Sequence, residues 1–323
     1  MSARVATIPL TARPRDVALL TAFAAVLVLH ALFLVPRPAS VVTPPPLTLA
    51  VADLRGQVLV VMHTGNPAEP RRIPLPGGPH EIAALPDGRV AVSLEQFGAI
   101  AIVDVVTGAV ETLEVGGTPH GLAVAGDTLY VTDRSVSAVR RFAIGAWHER
   151  APIASGTWPH IVALRPDGSL AIANAADDTL TVGDRTLRVS HVPESIAVAA
   201  DGRVAAAGSV GGTLHVFDAS GAPTAQYHLG GRPVRLLYDP RGGVLAAALS
   251  ADGTVALLER EELRRVVVGG VPDGLAFSAD GRWLYVADIV GGAISVVDVH
   301  RSQVVQRFPA ARSAGALLIL PRK

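Results

Sequence analysis

Three histidines, His80, His120 and His160, each stand directly after a proline and are separated by 40 residues. A neutral imidazole suits zinc, copper, iron or nickel, and three of them with an open position form a common catalytic zinc arrangement. The same offset from Pro193, Pro233 and Pro272 places Glu194, Val234 and Asp273. A bound divalent metal, zinc, copper or iron, would lower the pKa of a coordinated water, with Glu194 available to accept its proton. The competing reading is structural: an imidazole that recurs in a repeat can simply bond the backbone of the neighbouring copy.

The spacing of the prolines describes the elements that must carry these side chains. Pro79, Pro119, Pro159, Pro193, Pro233 and Pro272 lie 40, 40, 34, 40 and 39 residues apart. Residues 269–308 are the clearest copy. They hold two alternating apolar runs around an Ala279-Asp280-Gly281 turn, then two more short strands, a four-stranded antiparallel meander. A period near 40 with four strands per unit predicts the blades of a β-propeller. The third copy, residues 156–190, is short, which predicts trimmed outer strands. The pairs Asp87-Gly88, Asp167-Gly168, Asp201-Gly202 and Asp280-Gly281 recur at one hairpin and are turn chemistry, not calcium loops.

The ends of the array fix the blade count. Residues 47–53 match a second strand, 57–62 a third and 71–75 a fourth, whereas residues 315–320 match only a first strand. Joined, they complete a seventh blade and close the ring. The fold class is therefore an all-β, seven-bladed propeller over residues 47–320, with Ala314 as the seventh member of the inner ring. Antiparallel pairing returns the end of each second strand to the same mouth. That second ring reads Asp53, Leu94, Asp133, Asn174, Gly208, Leu249 and Asp288. Asp53, Asp133, Asn174 and Asp288, with Asp273 of the first ring, are candidate contacts for a polar ligand at the channel mouth. As an alternative, each second-ring Asp or Asn caps the following loop by accepting backbone N–H groups.

The motifs PHGLAV, PDGLAF and LYVAD followed by VVD resemble the YVTN and NHL classes of propeller repeat, over about residues 44–320. That resemblance implies the fold and leaves function open, since such families include binding scaffolds, lyases and other metal-dependent enzymes.

Composition removes several classes. Lys and Arg total 28 against 28 Asp and Glu, so no basic field exists for nucleic acid. Without cysteine there are no disulfides, thiolate ligands or Cys nucleophiles, and the single lysine, Lys323, excludes a Schiff-base lysine and a Walker-type phosphate loop. Residues 17–35 carry no formal charge. At ~1.5 Å per residue such a helix matches a ~30 Å hydrocarbon layer, which predicts one uncleaved transmembrane anchor; a cleaved signal peptide is the competing reading, although its apolar core usually runs only about 7 to 15 residues. Arg4, Arg13 and Arg15 precede it and only Arg37 follows closely, so residues 1–16 are expected in the cytoplasm and the propeller on the periplasmic or extracellular side of the inner membrane. Residues 36–46 hold five prolines, a semi-rigid spacer of at most about 34 Å. Anchor, short spacer and irregular blades together predict an interaction or scaffold subunit that binds other subunits of a membrane complex. The alternative is a metal-dependent lyase or a lactonase-like hydrolase working at the His ring.

Overall fold

The computed structural model describes residues 43–321; the predicted tail and anchor, and most of the spacer, lie outside them. Among the described residues no helix is long and apolar enough to cross a membrane. Seven four-stranded antiparallel sheets form a seven-bladed propeller. Blade 1 is the composite one, joining Ala314–Leu320 to Thr48–Asp53, Val58–His63 and Asn66–Pro74. Blades 2 to 7 then follow in chain order, starting from Ile82–Ala84, Pro119–Ala125, Pro159–Leu164, Pro193–Val198, Pro233–Tyr238 and Pro272–Phe277. The short copy keeps all four strands by shortening the outer two to Thr179–Val182 and Arg185–Arg188.

Burial follows the architecture. Second strands are flanked by blades on both faces, so Val90–Leu94, Val204–Gly208 and Trp283–Asp288 are buried at every position. Outermost strands such as Glu149–Ala154 alternate with solvent. The core lies between blades: Leu214, Leu236 and Leu249 fill the space between blades 5 and 6, and Leu257, Leu275 and Leu284 that between blades 6 and 7. The Asp-Gly hairpins form as expected, with Asp87 accepting the Arg89 N–H at 3.0 Å and Gly88 at φ +87°.

Two local rules place the mouth residues. In blades 3 to 7 the inner strand slips register immediately after the proline, as between Pro119 and Leu122, Pro233 and Arg235, and Pro272 and Leu275. Such bulges re-aim the side chains that follow. Glycine then permits neighbouring blades to approach. A Cβ on Gly121 would lie 2.6 Å from the His160 carbonyl oxygen, and one on Gly274 would lie 2.2 Å from that of Gly315. This is the physical content of the His-Gly and Asp-Gly steps in the two motifs.

The seam corrects one ring assignment. Ala314 pairs with Asp53 as Pro119 pairs with Asp133, so Ala314 occupies the proline position and Gly315 the ring position. The last copy lacks the proline that aligned the others, which shifted the expectation by one residue. The seventh ring member therefore has no side chain, and a Cβ there would lie 3.7 Å from Asp273 Oδ2.

Candidate functional site

Blades 2, 3 and 4 deliver the three imidazoles side by side. The ring centroids of His80 and His120 are 4.2 Å apart, and those of His120 and His160 are 4.1 Å apart, each pair tilted by about 50°. They form a row and do not surround one point. Among the described residues, one set of three residues offers metal-ligand atoms mutually within 4.8 Å, and it comprises His80, Glu81 and His120, without His160.

His120 is fully buried, and its Nδ1 lies 2.9 Å from the main-chain carbonyl of His160. A carbonyl can only accept, so Nδ1 carries the proton and Nε2 the lone pair. The Thr132 hydroxyl donates to the same carbonyl at 2.9 Å and accepts from the Gly121 N–H at 2.7 Å, pinning the bulge. Burial, and then the proximity of His160, His80 and Arg134, holds His120 well below the ordinary imidazole pKa. Burial and the Arg134 charge lower His160 to about 3. Both rings are neutral near pH 7.

Beside the imidazoles stands an ion pair that crosses the mouth. Arg235 of blade 6 donates to both oxygens of Glu81 of blade 2, at 2.9 and 2.6 Å, and its guanidinium is 3.7 Å from Asp273. Glu81 is fixed from its own blade, where its N–H donates to the Ser93 hydroxyl at 2.9 Å. Burial pushes the Glu81 carboxyl up, but the charge and hydrogen bonds of Arg235, with the nearby His80, outweigh it and hold the group at about 2. Burial opposes the charge on Arg235, yet Glu81 and Asp273 raise its pKa. Asp273 is pushed up by burial, and Arg235 offsets this only in part.

A second pair involves Glu95, from the 3₁₀ turn Glu95–Phe97 that follows the second strand of blade 2. Its Oε1 accepts from Arg134, whose guanidinium lies over the Trp158 ring at 5.0 Å. Its Oε2 is 3.7 Å from His80 Nε2 and 3.9 Å from His120 Nε2. Burial lowers the pKa of Arg134 against the opposing charge of Glu95. Glu194 accepts the Ser209 hydroxyl at 3.0 Å and lies 3.5 Å from Arg232. A cavity of about 340 Å³ is lined by His80, Arg134, His160, Glu194, Arg235, Asp273 and the exposed rim residue Trp158, with Glu95 and His120 behind its wall.

The second ring has a different character. Asp53 accepts from the N–H groups of Gly56, Arg312 and Ser313 at 3.0, 2.9 and 2.9 Å, and so ties the two ends of the chain together. Asp133 accepts from Thr118 and Ser135, and Asp288 from Val271, Val290 and Gly291. Asn174 accepts from Gly156 and donates to Thr179 and Thr181. All four are buried, and none lines the cavity. They close loops, the alternative raised by the spacing. Glu81, Glu95, Arg134 and Arg235 had no signal in the repeat alignment; only the bulge geometry and the ring bring them together.

No family model matches this chain, and no curated protein matches it. Solved structures do. The hydrazine synthase of Kuenenia stuttgartiensis superposes with a TM-score of 0.67 at 20% identity, over 74% of this chain and 88% of that one. A 6-phosphogluconolactonase candidate from Bacteroides fragilis gives 0.70 at 16%, over 88% and 100%. The virginiamycin B lyase of Staphylococcus aureus gives 0.65 at 14%, over 75% and 91%. At such identities the likeness concerns the fold: a seven-bladed propeller with lyase and lactonase-like neighbours.

Proposed function

We propose that this chain is a membrane-tethered propeller subunit of a larger complex, working by recognition at its His-lined mouth on the outer side of a cytoplasmic membrane. The observation that carries this reading is the pairing of the mouth carboxylates. Glu81 is held by Arg235, Glu95 by Arg134 and Glu194 by Arg232. Of these carboxylates Glu81 is held well down by its guanidinium and is a weak proton acceptor, poorly suited to lyase or hydrolase chemistry, and Glu194, the expected base, already spends an oxygen on the Ser209 hydroxyl. They are well suited to a rigid, patterned surface. Trp158, 43% exposed beneath Arg134, and Arg232 on the rim are the residue types enriched at the centres of interfaces.

The test is purification of the full-length chain from its native membrane in mild detergent, beside a Trp158→Ala/Arg232→Ala variant. The expected result is a stoichiometric partner retained by the parent chain and lost from the variant, with the thermal midpoint unchanged. A parent chain that elutes alone as a monomer contradicts the proposal.

A further inference from the structure

The buried nitrogen His120 Nε2 has no hydrogen-bond partner. Because Nδ1 is committed as donor to the His160 carbonyl, Nε2 presents a lone pair. The group that faces it is another acceptor, Glu95 Oε2, at 3.9 Å, and the same oxygen lies 3.7 Å from His80 Nε2. A fully buried lone pair and a part-exposed carboxylate oxygen turned toward each other repel. A cation between them turns that repulsion into ligation.

The spacing can be tested against ligand geometry. Metal bonds of about 2.0 to 2.1 Å place two ligand atoms roughly 3.4 Å apart at the tetrahedral angle and about 4.2 Å apart when opposed. Both separations from the Glu95 oxygen fall in that interval; the three atoms are not a set mutually within 4.8 Å, so the two imidazoles must close on the cation as it binds. The surroundings agree with it. A ligating imidazole characteristically donates its other N–H to a carbonyl or carboxylate, as His120 does. Glu95 is likewise fixed by its second oxygen, which accepts from Arg134.

We propose that His80 Nε2, His120 Nε2 and Glu95 Oε2 hold one divalent transition metal of the zinc type, with a remaining position open to the cavity. His160 contributes its main-chain carbonyl and not its ring. Glu81 is the nearest rival for the carboxylate position, since it belongs to the set with ligand atoms within 4.8 Å. Both of its oxygens, however, are already occupied by Arg235. The site is independent of the recognition role above: either can fail while the other stands.

The experiment is a zinc titration by calorimetry of the full-length protein in mild detergent, stripped with chelator, with the thermal midpoint of every variant recorded. One equivalent of zinc is expected. His80→Ala and His120→Ala should abolish uptake, and Glu95→Gln should weaken it at least roughly tenfold. His160→Ala, which keeps the carbonyl, and Glu81→Gln should retain it. X-ray absorption on the zinc-loaded parent chain needs no variant and should show imidazole nitrogen and carboxylate oxygen at about 2.0 to 2.1 Å. No zinc uptake by the parent chain, or undiminished uptake by a folded Glu95→Gln, overturns the assignment. Loss in Glu81→Gln with retention in Glu95→Gln does so as well.

Discussion

The two rings at the mouth carry similar polar residues, and they differ in whether those residues already have partners. In the second ring every Asp and Asn named above already has partners, backbone N–H groups among them; Asp53 alone joins Gly56 to Arg312 and Ser313 across the seam. In the first ring His80 Nδ1, His120 Nε2 and His160 Nδ1 are buried without a partner, as are the Nε atoms of Arg134 and Arg235 beside them. Buried polar atoms are almost always satisfied, so a cluster of exceptions marks a place where something else is meant to bind. The second ring serves the fold, and the first is free for a ligand.

The sharpest way to break that contrast is through Arg235, which belongs to the first ring's blade but is paired like a structural group. Arg235→Met strands Glu81 in a mostly buried site and should cost roughly 3–5 kcal/mol, read as a lowered thermal midpoint of the full-length chain. Replacing both partners by apolar residues should recover most of it, because the remaining charge is then gone. Asp53→Ala should cost about 3 kcal/mol, since it leaves three N–H groups at the closure without their acceptor. Denaturant unfolding provides the check.

A pH titration of the chelator-stripped chain should show a smaller effect. His160 is held at about 3 in the fold against about 6.5 when unfolded, so the unfolded chain binds more protons between these values. The stability contributed by the neutral ring is present above pH 6.5 and is lost as pH falls toward 3. His160→Gln should flatten that part of the profile. The smallest effect is expected at the rim, where Trp158→Ala should change stability by no more than about 0.5 kcal/mol.

The fold was legible because proline before the inner strand, Asp-Gly at the hairpin and the split terminal copy each have a local physical cause. The caps were legible too, as an alternative that followed from Asp and Asn at the ends of strands. What the repeat could not show depended on closure. Glu81 and Arg235 are 154 residues apart and meet only across a finished ring. Glu95 sits in a 3₁₀ turn outside the aligned strands, and no periodicity points to it. Counting three histidines at one offset suggested convergence, but adjacent blades set their rings in a row, and His160 approaches through its backbone. The Ala314 to Gly315 shift followed from the single copy without its proline.

The most direct test of the division between the rings is the zinc-induced rise in thermal midpoint, measured on the stripped full-length chain, on Asp53→Ala and on His120→Ala. A ligand that binds only the folded state stabilises it by ~2.7 kcal/mol at a hundredfold excess over Kd. Asp53→Ala should begin lower and keep that rise, whereas His120→Ala should lose it. A rise abolished by Asp53→Ala in a folded chain, or preserved in His120→Ala, would contradict the account.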